Sequence, residues 1–340
     1  MDVLSEVLKV VKLDGAVFFH GEFASPWCVR EPDADTMAAY LPTPSGHIII
    51  FHLLLEGQGY VRLEHEDRAV PLTAGDIIIL THGDVHCMGN GPPVPPMDTS
   101  EQLRQILTEG RILSRLAGGG EVTKLICGYL TCDAQLCRVV LAGLPAMLKV
   151  NIRDTPSGQW LENTLRYSVD HAEASGPGGA AVIAKLSEAL FVETLRRYIA
   201  QLPPTQTGWL AGVRDPDVGN ALALLHQQPS HPWTIATLAA EVGVSRSVLA
   251  ERFQHFLTDT PIGYLTRWRL HLAAKLLTST SKSVAEVAGD IGYESEPSFN
   301  RAFKREFGLP PARFRNQAKS PARPVISRGA AVRLKSTQAT

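Results

Sequence analysis

Apolar and polar positions change rhythm along the chain. Over about the first 150 residues the apolar runs are short or alternating: HIIIFHLLL (47–55), YVRL (60–63) and DIIIL (76–80). Gly and Pro punctuate them, as in EGQG and PLTAGD, and runs of this length between turn residues predict β-strands. Ahead of them Leu4, Val7, Leu8 and Val11 share one face of a predicted short helix. Helical spacing then takes over. GQWLENTLRYSVDHA (158–172) and AAVIAKLSEALFVETLRRYIAQL (180–202) predict amphipathic helices on either side of the breaker ASGPGGA. Leu186, Leu190, Val192, Leu195 and Ile199 form the apolar side of the second, fit for packing on the strands or for a dimer interface. LPPTQTGWLAGVRDP (202–216) has no period and reads as a linker. Beyond it helical spacing holds as far as Pro310 and Pro311, and the polar, basic, Pro-bearing tail predicts disorder.

The fold class expected is α+β in two domains. Residues 1–202 form a β-rich domain with accessory helices, 203–216 a linker, 217–318 an all-helical domain and 319–340 a basic tail.

The helical domain contains a repeat. IATLAAEVGVSRSVLAERFQHFLTDTP (235–261) lies over VAEVAGDIGYESEPSFNRAFKREFGLPP (284–311), with Gly243 over Gly292, Phe253 over Phe303 and Pro261 over Pro311. Each copy opens with a short helix, marked by Ile235, Leu238 and Val242 or by Val284, Val287 and Ile291. A glycine follows, where a chain leaving a helix favours positive φ. Ser245 or Ser295 then stands at the N-cap of a second helix. Helix, glycine-containing turn, helix is the helix-turn-helix unit. PIGYLTRWRLHLAAKLL predicts the helix that joins the two copies.

Charge separates the two halves. The net charge is −1, yet from Thr260 onward 14 Lys and Arg stand against 5 Asp and Glu, and the remainder carries 19 against 29. A basic end on an acidic body points that end towards a polyanion. No run of 18 apolar residues is present, which argues against a membrane span, and the absence of a secretion signal predicts a cytoplasmic protein. Five cysteines without a CxxC pair predict free thiols.

From Asp217 to Arg315 the chain closely resembles the DNA-binding domain of AraC/XylS-type transcription regulators, most specifically in DIGYESEPSFNRAFKREFGLPPARFR (290–315). Helical spacing puts Phe299, Ala302, Phe303 and Phe307 on the inner side of the second copy's second helix, leaving Glu296, Asn300, Arg301 and Lys304 outward. Such a helix can enter a major groove. Arg301 suits guanine or phosphate and Asn300 adenine or phosphate, while Lys304 and Arg305 suit phosphate. In the first copy Leu249, Phe253 and Phe256 turn inward, and Ser245, Arg246, Ser247, Ala250 and Glu251 lie on or near the exposed side. The resemblance implies that Ser247, Ala250 and Glu251 are base readers. Ser295 and Glu296 begin the matching surface of the second copy.

The first half resembles the cupin-type sensor domain of one branch of this family. In GDIIILTHGDVHCMGN (75–90), Gly75, Gly83, His86 and Asn90 are in register with the second cupin motif, with Thr81 where proline is usual. The first motif keeps His52 and Glu56, but Ile50 replaces its first metal-binding histidine. His52, Glu56, His86 and Cys87 are therefore the candidate effector pocket, with His47 and His82 as outer members. His52, Glu56 and His86 leave a divalent metal open, although the reading requires no cofactor. The function expected is a sequence-specific regulator, an activator by resemblance. Its partners would be promoter DNA, RNA polymerase, a small-molecule or redox effector and a second copy of the chain, with no membrane and no enzymatic activity. A metal-dependent cupin enzyme and a nucleoid-type DNA binder are the alternatives.

Overall fold

A computed structural model describes residues 3–11, 13–41, 46–109, 113–116, 119–133, 144–171 and 177–319. The strands among them are β1 (Asp14–Ala24), β2 (Trp27–Glu31), β3 (His47–Glu56), β4 (Gln58–Leu63), β5 (Val70–Thr73), β6 (Asp76–Leu80), β7 (His86–Asn90), β8 (Met97–Asp98), β9 (Leu113–Leu116), β10 (Val122–Cys132) and β11 (Met147–Asn151). They form a six-stranded sheet, ordered β11-β6-β3-β10-β1-β9, and a five-stranded sheet, ordered β5-β4-β7-β2-β8.

The two sheets enclose a core built from Trp27, Val29, Ile50, Leu54, Val61, Ile78, Met88 and Leu125. The other face of the six-stranded sheet is also buried, through Ile49, Phe51, Leu53, Ile77, Ile79 and Ile126. Cover on both faces explains why HIIIFHLLL and DIIIL are apolar without alternation. Helices supply the outer cover. α1 (Val3–Val11), α2 (Ala34–Ala38) and α3 (Ser100–Glu109) precede α4 (Pro156–Asp170) and α5 (Gly179–Gln201), and α5 lies on β1 with α4 beside it.

That placement decides between the two uses open to the apolar side of α5, in favour of packing on the strands. Leu190 and Leu195 are buried in the sheet–helix core, and Leu186 and Ile199 pack against it. The apolar side of α5 is consumed by the barrel. Exposed aromatic residues instead stand on α4, where Trp160 and Tyr167 are 61% and 65% accessible.

The helical half comprises α6 (Trp209–Arg214), α7 (Pro216–Gln227), α8 (Ile235–Val242), α9 (Arg246–Leu257), α10 (Pro261–Ser279), α11 (Val284–Asp290), α12 (Glu296–Phe307) and α13 (Pro311–Lys319). α6 falls inside the expected linker, with Trp209 and Leu210 buried and Trp209 Nε1 donating to Tyr264 Oη at 3.1 Å. Six residues are too few to display a helical period in sequence. α1 crosses to this half: Val3, Leu4, Val7 and Val11 share a core with Val218, Ala221, Leu222 and Leu225 of α7. Of the expected basic tail, 319–340, Lys319 ends α13 and residues 320–340 lie outside the described residues.

One cysteine expectation fails. Cys28, Cys87 and Cys127 are free, but Cys132 is disulfide-bonded. Spatial approach decides pairing, and neither parity nor a CxxC motif reports it.

Candidate nucleic-acid interface and buried sensor site

Each helix-turn-helix unit is assembled by local chemistry. α8 starts at a Thr234–Thr237 capping box and α11 at a Ser283–Glu286 box, which satisfy backbone N–H groups left over at a helix start. Gly243 and Gly292 follow with φ of 85° and 83°, the left-handed region that favours glycine. At Gly292 a Cβ would also sit 2.5 Å from the Ser230 carbonyl oxygen. Ser245 caps α9 by accepting from Val248 N at 3.2 Å. Ser295 occupies the matching position of α12, but its side chain makes no capping bond.

The units have separate cores joined by α10. Its first half buries Tyr264, Leu265 and Trp268 with Leu249 and Phe253, and its second half buries Leu270, Ala273, Ala274 and Leu277 with Phe299 and Phe303. Phe307 and Phe314 pack against the second core, with the Phe303–Phe307 ring centroids 4.4 Å apart. The 19 residues of α10 span about 28 Å, close to one turn of B-DNA.

Anchoring one side exposes the other. Ser245, Arg246, Ser247 and Glu251 are exposed on the first unit, and Ser295, Glu296, Arg301, Lys304 and Arg305 on the second. Ala250 and Asn300 are half-buried, and Asn300 Nδ2 donates to Glu296 Oε1 at 3.4 Å. Among the described residues Arg246, Arg301, Lys304 and Arg305 enter no ion pair, whereas Arg252 is held by Asp215 and Asp217 at 2.5 and 3.2 Å. The unpaired cations are available for phosphates.

The barrel holds a second polar cluster, between its sheets. Cys127 faces His52 across β10 and β3, and Glu31 faces His86 across β2 and β7. The two pairs meet in the interior. His52 Nε2 lies 2.9 Å from His86 Nε2, and Glu31 Oε2 lies 3.8 and 3.9 Å from these two nitrogens. His52 Nδ1 is 2.9 Å from Cys127 Sγ, and His86 Nδ1 is 2.9 Å from the Asp84 carbonyl oxygen.

Burial governs the charge of the cluster. It pushes the Glu31 carboxyl up to about 8, drops His86 to about 4 against the opposing pull of the Asp84 carbonyl, and holds His52 well below 6.5, aided by His86. Burial and the nearby Glu31 raise the Cys127 thiol. All four groups are neutral near pH 7. Since Asp84 O only accepts, His86 carries its proton on Nδ1 and presents a bare Nε2. His52 must then donate from Nε2 and accept the Cys127 S–H at Nδ1. Glu31 Oε2 is buried without a hydrogen-bond partner. Glu31, His52 and His86 offer ligand atoms all within 4.8 Å of one another, a group that can bind a metal ion.

A cupin family profile matches residues 2–200, more than half of the chain, and a helix-turn-helix domain profile matches residues 238–317. A putative AraC-like transcription regulator of Streptomyces lividans is 30% identical over 322 residues, covering 94% of this chain and all of the relative. The chain belongs to the AraC family of transcription regulators, with an N-terminal cupin domain. The HTH-type regulator AlkR of Acinetobacter baylyi is 27% identical across 94% of this AraC-family chain and 100% of its own length. RclR of Escherichia coli, named an RCS-specific transcriptional activator, is 25% identical across 94% of this chain and 99% of its own. A crystallised AraC-type DNA-binding-domain regulator from Chromobacterium violaceum is 32% identical over 33% of this chain and 98% of that one, with a TM-score of 0.31. These relatives are transcription regulators, and the helix-turn-helix half of this one is a DNA-binding domain. Among the described residues no helix is long and apolar enough to cross a membrane.

Of the residues expected in the regulator's pocket, His52 and His86 meet and two others do not. Glu56 stands outside, paired with Lys124 at 2.7 Å and Arg166 at 3.7 Å. A register shift between Lys124 and Leu125 leaves Leu55 as an extra residue on β3 and takes Glu56 off the inward alternation. Cys87 lies on the face of β7 opposite His86, since neighbours on a strand alternate. Cys28 shares that outer side, two positions away across the pair, and Tyr60 Oη donates to its sulfur at 3.6 Å. His47 bonds to the Thr81 carbonyl oxygen at 2.6 Å, and His82 is exposed. The cluster members absent from the motifs are Glu31 and Cys127. Alternation along WCVRE, which buries Trp27, Val29 and Glu31, is the sequence signal that places Glu31 inward.

Proposed function

We propose that this AraC-family regulator is a sequence-specific activator acting as a homodimer on promoter DNA in the cytoplasm. It engages RNA polymerase and is switched by a small-molecule, metal or redox signal received between the sheets of the cupin domain. In this reading residues 1–202 sense and dimerise, and residues 217–318 bind DNA. The observation that carries it is the pair of anchored helices, α9 and α12, joined through the 19-residue α10, with unpaired Arg246, Arg301, Lys304 and Arg305 outward. Arg301 reads a base and Lys304 and Arg305 hold phosphates, so the second unit supplies more of the contact energy than the first. The activator mode is supported by the name of RclR. A route between the halves is supported by the core in which Phe51 and Leu53, flanking His52, continue through α1 to α7.

Footprinting on the DNA flanking the gene, followed by gel shifts, tests the reading. Arg301→Ala should weaken binding to the footprinted site by about 1–3 kcal/mol and relax selectivity at one base pair. Unchanged affinity and selectivity would remove Arg301 from the interface, and protection without any preferred sequence would remove the site-specific reading altogether.

A further inference from the structure

We propose that Glu31, His52 and His86 bind one divalent first-row transition-metal ion, Zn2+ being the best chemical match, and that Cys127 is a positioning residue acting through His52. The proposal deepens the reading of the cupin domain as the sensing half and rests on it for its regulatory meaning.

Three observations converge. The first is the orphan: most buried acceptors find a hydrogen-bond partner, yet Glu31 Oε2 has none and lies nearest two imidazole nitrogens, at 3.8 and 3.9 Å. The second is spacing. Two ligands on a tetrahedral ion with bonds of about 2.0 Å stand about 3.3 Å apart. The three separations here, 2.9, 3.8 and 3.9 Å, bracket that value, so shifts of a few tenths of an ångström seat the ion. Two imidazoles and a carboxylate favour Zn2+ and its neighbours over Mg2+ or Ca2+, which prefer all-oxygen shells. The fourth position stays open to water or a small ligand.

The third observation is the outer contact of each imidazole. A metal-ligating histidine is oriented by the bond its other nitrogen makes. For His86 that bond exists already, since Nδ1–H donates to the Asp84 carbonyl and Nε2 is bare. His52 differs. Without an ion its Nε2–H is spent on His86, so binding requires its single proton to sit on Nδ1 and its Nε2 to be bare. Cys127 Sγ, 2.9 Å from Nδ1, is the acceptor that permits this tautomer. Because the sulfur sits against Nδ1, beyond the ring from Nε2, it touches the histidine and not the ion. The donors come from both sheets, His52 from the six-stranded and Glu31 and His86 from the five-stranded, so an ion would pin the barrel shut.

The test uses the purified full chain, stripped with chelator and dialysed against Zn2+ or Co2+ alone, with bound metal counted by mass spectrometry. One ion per chain is expected. Glu31→Gln, which is isosteric with the neutral acid and should fold, should lose stoichiometric binding. Cys127→Val should weaken affinity roughly tenfold to a hundredfold, and Cys127→Ser, which keeps an acceptor, should restore most of it. The Co2+ form should show visible d–d bands with no sulfur-to-cobalt charge-transfer band. Absence of bound metal, or wild-type binding by Glu31→Gln, would overturn the site. A sulfur charge-transfer band, or wild-type affinity in Cys127→Val, would overturn the role of Cys127. Gel shifts with and without Zn2+ separate the layers. Metal binding that leaves DNA affinity unchanged defeats sensing and keeps the site, while selective DNA binding by a chain that takes no metal keeps the regulator and defeats the site.

Discussion

His226 makes the DNA-binding half sensitive to acid. The side chain is buried on α7, with its ring centroid 4.2 Å from that of Trp268 and Nε2 2.8 Å from Tyr264 Oη. Trp209 Nε1 donates to the same hydroxyl, which leaves the Tyr264 proton directed at His226 Nε2. A second proton on the ring would confront that O–H inside an apolar core. Burial accordingly lowers the imidazole from 6.5 to about 3. As pH falls the unfolded chain takes up the proton first, so the contribution of the neutral ring is complete above about 6.5 and is lost progressively down to about 3. Between pH 7.5 and 5.0 the loss is about 2 kcal/mol, a figure set by the unfolded value while the folded one stays below about 4. His226→Gln keeps an acceptor for Tyr264 and does not titrate. Urea unfolding read by pulse proteolysis and mass spectrometry of the α7 and α10 segments, at both pH values, should show the wild type losing about 2 kcal/mol more than the variant. Subtracting the variant cancels His52 and His86, which burial also holds neutral in the barrel. A difference between the two proteins that does not change with pH would refute the neutral, buried His226.

Further expectations concern the repeat. Gly243→Ala should cost about 1–2 kcal/mol through its left-handed φ alone, whereas Gly292→Ala should cost more, because its Cβ also meets the Ser230 carbonyl; urea midpoints rank the two. Phe303→Ala should remove about 3–5 kcal/mol from the second unit, seen as faster hydrogen exchange in α11 and α12 while α8 and α9 stay protected. Ser283→Ala should destabilise by about 1 kcal/mol, and Ser295→Ala, which breaks no capping bond, should be close to neutral in the same assay.

Local chemistry was legible because its partners are close in sequence. The two glycine turns, the stripe of Phe299, Phe303 and Phe307, and the outward cations all follow from a 3.6-residue period and a few turn residues. The short β-runs and the second cupin motif likewise announced a strand-rich half containing His52 and His86. A period of two states which face of a strand a residue occupies, but not which strand lies beside it. For that reason the polar cluster could not be completed from the motifs. Glu31 joins His86 only through the β2–β7 register, and Cys127 joins His52 only through β10–β3. Glu56, at the motif's spacing from His52, was carried outside by one extra residue in a strand pairing. The apolar side of α5 was equally ambiguous, since a face that covers a sheet and one that meets a second chain have the same composition. Its fate was decided by β1 lying beneath it. The sequence by itself determined the longer helices, the strand-rich half and the repeat; the tertiary structure alone decided which residues meet inside the barrel, because those contacts depend on strand order and register rather than on any spacing along the chain.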